Sequence, residues 1–217
     1  PRAAEPGRET AAPAARRRGF SPACPRRGRG SAGGVARNTV LSTRVLLVCA
    51  AIGVATGIVG GIAGLVTPVV LAVPGLAIVY GLVLGAHVLP GIVAQEVLRL
   101  PLVALLTHVL AALVSSAFAP MWTLRFLGTA LLFGAIQEGV AALTRYRAWG
   151  AWRFFISAAV IGVVVAVVVF FAAHLGAYAL WAQIAYLALS VCGPVAWTAI
   201  GLGVGASLRR AGVARQI

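Results

Sequence analysis

From Val45 to Leu208 the chain passes through one apolar stretch after another, each close to the length of a membrane crossing. A crossing helix needs about 20 residues, because each residue rises roughly 1.5 Å and the hydrocarbon layer is about 30 Å thick. Stretches of that kind lie at 45–66, 76–98, 101–119, 122–143, 154–175 and 180–208. The expected fold is therefore an all-α integral membrane protein. A six-helix transmembrane bundle at 44–217 follows a disordered Arg/Pro/Gly/Ala-rich tail at 1–43. The prolines divide the bundle. Pro68 and Pro74 are expected to bracket the first outer loop, and Pro101 and Pro120 to separate neighbouring helices. Pro90-Gly91 is expected to kink the second helix, and the last, long enough to tilt or break, to do so at Gly193-Pro194.

Composition excludes a soluble alternative. Hydrophobic residues make up 61% of the chain and charged residues 10%, against roughly 25% charged in soluble domains. A net charge of +14 raises the question of nucleic acid. Its placement argues against it, because a nucleic-acid binder carries a basic face on a folded domain. Here ten arginines fall at or before Arg44, and the others flank apolar runs. These are topology signals. With the N-terminus inside, 17 of 18 arginines lie on the inner side, and only Arg125 lies towards the outside. An even number of crossings with both termini cytoplasmic satisfies that asymmetry. The tail has no apolar periodicity to offset its ordering entropy. Its basic runs suit anionic lipid headgroups.

No catalytic constellation is present. Nucleophile elbows, HExxH, Walker A and GxGxxG in a strand–helix setting are all missing. The chain is not expected to be an enzyme, and no cofactor or metal is expected. Cys24, Cys49 and Cys192 show no zinc spacing. Active transport would draw its energy from partner chains or an ion gradient.

A few residues stand out against the apolar background. Glu138 lies in the fourth helix, and an intramembrane carboxylate is a functional candidate by default. Structural pairing with Arg145 or Arg99 is its alternative role. Trp122 and Arg125 open the same helix from the outside, as an interfacial anchor or as ligand contacts. His87, His108 and His174 fit hydrogen-bonded packing as well as binding. Tyr178, Trp181 and Tyr186 form either an aromatic belt or one wall of a pocket for a flat ring. In the first helix, Gly53, Gly57, Gly61 and the pair Ala51 and Ala55 recur at intervals of four. Small residues at that spacing let another helix approach closely, either inside the bundle or as a docking face for a partner subunit.

Several of these stretches also resemble a known family. Leu89-Pro90-Gly91-Ile92-Val93 with Arg99-Leu100-Pro101 is similar to the second-to-third helix turn of the YkoE family. Gly134 to Glu138, followed by Ala141-Ala142-Leu143-Thr144-Arg145-Tyr146-Arg147, is similar to that family's Gly-and-Glu segment ending in Arg-Tyr-Arg. Ser207 to Val213 resembles its ending. The chain departs from the pattern at Thr107-His108, near His87 and at Phe133. The resemblance covers residues of about 45–215. YkoE proteins are substrate-binding S components of energy-coupling-factor (ECF) transporters. The resemblance thus implies a six-helix bacterial cell-membrane subunit that binds thiamine or its hydroxymethylpyrimidine precursor near the outer face. It also implies partnership with a transmembrane T subunit and ATPase subunits. The site residues expected for the ligand are Trp122, Arg125, Glu138, His108, Tyr178 and Trp181. Ala51, Ala55, Gly57 and Gly61 are expected to meet the T subunit. The competing expectation is a membrane scaffold or assembly protein with no small-molecule ligand.

Overall fold

A computed structural model describes residues 42–73, 75–172 and 174–213. The tail expected at 1–43 lies outside these residues, apart from its last two. The described residues contain helices and turns, without strands. The helices are α1 (Thr43–Ala72), α2 (Tyr80–Gly85), α3 (Leu89–Leu98), α4 (Val103–Phe118), α5 (Thr123–Leu143), α6 (Ala151–Ala172) and α7 (Leu180–Arg210). A 3-10 turn at Ala86–Val88 joins α2 to α3, so the two form one span from Tyr80 to Leu98. With Pro120–Trp122 leading into α5, five spans are long and apolar enough to cross a membrane. The sixth, α4, has 16 residues and is roughly 24 Å long. The all-α six-helix bundle expected from the apolar runs is the fold observed.

The α2–α3 span occupies the centre. It packs against α1, α4 and α7, and every residue from Leu89 to Leu98 is buried. The expected irregularity near Pro90-Gly91 is present, as the 3-10 turn immediately before Leu89. Pro90 stands in the first turn of α3, where its missing N–H leaves no gap in the helical ladder.

Two expected breaks are corrected. Pro68 does not end the first helix, because α1 continues to Ala72 with Pro68 inside it. Likewise α7 runs unbroken past Gly193-Pro194 to Arg210. Membrane helices tolerate an internal proline because neighbouring groups re-satisfy the freed carbonyl. At Gly193 a second requirement acts. A Cβ there would stand 2.5 Å from the carbonyl oxygen of Gly81, and a Cβ on Gly81 would stand 2.6 Å from Cα of Ser190. The central span and α7 touch backbone to backbone at this crossing, and Trp197 Nε1 donates to the Leu82 carbonyl at 2.9 Å beside it.

The small-residue stripe of α1 also divides. Gly57 would place a Cβ 2.7 Å from the Ala111 carbonyl and the Val114 Cβ, and Gly61 would place one 2.8 Å from Phe118. Ser115 Oγ donates to the Gly57 carbonyl at 2.8 Å across the same contact. Gly57 and Gly61 are thus used up in seating α1 against α4, and this corrects the expectation that they face a partner subunit. Ala51 and Ala55 point outward and are exposed.

Gly81→Ala is expected to lower stability by about 1–3 kcal/mol through overpacking at the crossing. Gly139→Ala, on α5 where a Cβ meets nothing within 4 Å, is expected to leave stability unchanged or raised. Thermal unfolding in detergent measures both. Equal effects at the two positions would refute the backbone contact.

Candidate functional site

Polar groups gather at two places in the bundle, and Glu138 belongs to the one at the charged end. Arg44, Arg99, Arg145, Arg147, Arg209 and Arg210 all lie at this end, where α1 starts and α3, α5 and α7 finish. Glu138 is 7% exposed. Its Oε1 accepts from the Ala104 N–H at 2.8 Å and from Gln95 Nε2 at 3.3 Å. Its Oε2 accepts from the Leu102 N–H at 3.0 Å and from the Tyr146 hydroxyl at 3.1 Å.

This carboxylate caps α4 from another helix. The first N–H groups of any helix lack partners within it, and a negative charge suits its N-terminal dipole. The arrangement also holds a strained turn. Leu102 (φ 63°) and Arg99 (φ 52°) are both left-handed, a region that disfavours side chains with a Cβ. Arg153 completes the cluster. It is 1% exposed, donates from Nη2 to Gln95 Oε1 at 3.3 Å, and lies over the rings of Trp149 and Phe154 at 4.4 Å each.

Tyr146 lies in the loop beyond α5. Burial, and then the Glu138 charge, push its phenol up to about 12. Its hydroxyl therefore stays a donor at neutral pH. The bond's contribution is intact below the ordinary phenol value and is lost as pH climbs towards 12. Glu96, the other carboxylate of the bundle, pairs with Arg209 at 2.7 Å and with Arg99 at 3.8 Å.

The second place is a cavity of about 450 Å³ towards the opposite end. The turn before α5 and one face of α5 form a wall: Trp122, with Arg125, Phe126, Thr129 and Phe133 three, four, seven and eleven residues after it, all line it. Tyr80 and His87 reach it from the central span, and Val165, Val168 and Val169 from α6. Arg125 is exposed at the mouth, with Cζ 4.5 Å from the centroid of the Trp122 ring. His87 packs against Phe126 at 5.7 Å between ring centroids. Among the described residues no side-chain hydrogen bond engages its ring nitrogens. A gap of about 10 Å³, lined by His87, His108 and Ser115, lies beside the cavity.

The expected site residues therefore separate. Trp122 and Arg125 line the cavity. His108 lies next to it, with Nε2 3.0 Å from Gln137 Oε1, while Gln137 Nε2 donates to the Val88 carbonyl at 3.2 Å. Glu138 sits at the other end of α5, tied to backbone N–H groups and Tyr146 rather than to Arg145 or Arg99. Tyr178 and Trp181 are exposed in and after the α6–α7 connection and do not line the cavity. His174 is exposed in the same connection. Among the cavity residues, Tyr80, Phe126 and Thr129 do not stand out in the sequence, whereas His87 does, with packing and binding both open. The helical spacing from Trp122 to Phe133 is the signal that marks Phe126 and Thr129.

Fold and site together define a polytopic membrane protein with a cavity of small-molecule size between its helices. Residues 44–164 match the family model described as "ABC-type cobalt transport system, permease component", and the chain belongs to that family. Its fold is similar to a solved structure titled "Crystal structure of an S-component of ECF transporter". The TM-score is 0.71 at 19% identity, covering 81% of this chain and 89% of that one. No curated protein matches the sequence.

Glu138→Ala is expected to cost roughly 3 kcal/mol by leaving the Leu102 and Ala104 N–H groups unpaired. Tyr146→Phe is expected to cost about 1 kcal/mol. Denaturation in detergent checks the order, and a Glu138→Ala protein as stable as the parent would contradict the capping role.

Proposed function

We propose that the chain is the substrate-binding S component of an ECF-type importer, of the YkoE kind, and that its cargo is a small organic molecule. The cavity between α1, α5, α6 and the central span is the observation that carries this reading. Its volume of about 450 Å³ lies in the range of small-molecule sites, about 300–1,000 Å³. Its walls are aromatic and aliphatic with a few polar groups. Membership of a transport-permease family and the S-component fold support the same reading.

The cobalt of the family description does not fit these walls. A transition-metal ion needs several N, O or S ligands converging on one point. Among the described residues no three His, Cys, Asp or Glu side chains come together, and the cavity offers one His. A flat aminopyrimidine fits better, stacked against the Trp122–Phe126–Phe133 wall with His87 and Thr129 as hydrogen-bonding groups. Thiamine and its hydroxymethylpyrimidine precursor both contain that ring.

The bundle sits in the cell membrane with both termini cytoplasmic and the cavity mouth outside, as the clustered arginines favour. Energy comes from ATPase subunits acting through a T subunit. Ala51 and Ala55, exposed on α1, form the docking face.

Hydroxymethylpyrimidine or thiamine is expected to quench the tryptophan fluorescence of the purified protein saturably, and Trp122→Phe to remove most of the signal. Absence of binding by both would reject the substrate assignment. Ala55→Leu is expected to abolish co-purification with a T subunit while ligand binding persists. An unchanged complex would reject the docking face.

A further inference from the structure

The connection between α5 and α6 is tied down from inside the bundle and carries unpaired charge outside it. At the end of α5 the Tyr146 N–H donates to the Ala141 carbonyl at 2.9 Å, and the Arg145 N–H to the Ala142 carbonyl at 2.8 Å. These are the paired bonds of a Schellman ending, whose left-handed position usually takes glycine. Here Arg145 (φ 50°) fills it, and Tyr146 (φ 55°) follows in the same region. Side chains hold the turn in place. The Tyr146 hydroxyl donates to Glu138 Oε2 at 3.1 Å, and Trp149 Nε1 donates to the Tyr146 carbonyl at 2.9 Å.

The tyrosine is thus bonded inward, while Arg145 and Arg147 on either side of it are exposed. Among the described residues no carboxylate pairs with either of them. Glu138 is taken by its four hydrogen bonds, and Glu96 by Arg209 and Arg99. Large apolar side chains flank the two arginines. Leu143, the last residue of α5, is 85% exposed, and Trp152, the second of α6, is 54% exposed. A tryptophan beside free cations suits the boundary between hydrocarbon and headgroups. There a guanidinium meets phosphate oxygens as a charge-assisted donor. Arg210 at the end of α7 differs, because its guanidinium donates to Ser207 Oγ at 3.3 Å.

We propose that the α5–α6 loop is a binding site for an anionic phospholipid. Arg145 and Arg147 hold the headgroup, and Leu143 and Trp152 meet the upper part of the acyl chains. With this end cytoplasmic, as in the orientation given above, the lipid belongs to the inner leaflet, where anionic headgroups attract basic residues. The site lies at the other end of the bundle from the cavity and does not depend on what the cavity holds.

Tryptophan quenching in vesicles of the purified full chain is the test. The Trp152 signal is the difference between the parent and Trp152→Phe, and lipids brominated on the acyl chain quench it on contact. Brominated phosphatidylglycerol is expected to half-quench that signal at a mole fraction ~10-fold lower than brominated phosphatidylcholine, since each arginine near an anionic surface is worth roughly 5-fold. Arg145→Gln with Arg147→Gln is expected to bring the two lipids within ~2-fold of each other, and Arg210→Gln to keep the preference. Both arginines are exposed, so thermal unfolding of the double variant is expected to match the parent. Arg147→Gln alone serves should the double variant fail to fold. Equal quenching by the two lipids in the parent, a preference that survives loss of both arginines, or an equal loss in Arg210→Gln would overturn the site. So would a double variant that keeps its lipid preference but no longer co-purifies with a T subunit, which would make the loop a protein contact.

Discussion

Glu138 takes four hydrogen bonds at the charged end of the bundle, two of them from backbone N–H groups at the start of α4. That commitment shapes both ends of the molecule. At the charged end it holds the left-handed Leu102 turn and joins α5, the central span and the α5–α6 loop into one polar cluster with Arg153. At the far end its effect is indirect. With Glu96 also engaged, no bundle carboxylate remains for the cavity, and Arg125 is left there without a counter-charge among the residues lining it. A membrane interior magnifies such placements, because a charge without a partner has no water to turn to.

Between the two ends, close packing fixes the cavity walls. The central span can be buried throughout Leu89–Leu98 because glycines on its neighbours, and on itself at Gly81 and Gly91, let backbones and polar side chains come near. A Cβ on Gly91 would collide with Gln137 Oε1, the atom that His108 faces. Gln137 and Glu138 are consecutive, yet they serve opposite directions. The first supports His108 and the Val88 carbonyl beside the cavity, and the second caps α4. The helix that presents the aromatic wall is thus anchored at its other end by buried polar bonds.

Much of this was legible in the sequence, and the limits have physical causes. The apolar runs marked six helices, closely except at the end of the first, which runs on to Ala72, since helix length in a bilayer is set by its thickness. Pro68 and Pro194 misled, because a proline that ends a soluble helix can sit inside a membrane one. The glycine stripe of α1 announced a close helix contact, but not with what. In lipid the outward face is as apolar as the inward one, so periodicity cannot tell Ala55, which is exposed, from Gly57, which is buried. For the same reason Tyr178 and Trp181 read equally well as a belt or a pocket wall. Trp122 and Arg125 were visible because they are polar or amphipathic at a helix start. His87 was visible with packing and binding both open, Phe126 was hidden among similar residues, and only the folded cavity brings them together.

A cavity lined by Trp122, Phe126 and His87 that holds a small organic molecule should carry it through purification. Native mass spectrometry of the protein purified from its own membranes tests it most directly. The expected spectrum shows an adduct of organic mass, released on unfolding, and lost when Thr129 or Phe133 is replaced by a residue that fills the cavity. A protein that carries stoichiometric cobalt instead, or an organic adduct that survives filling of the cavity, would contradict it.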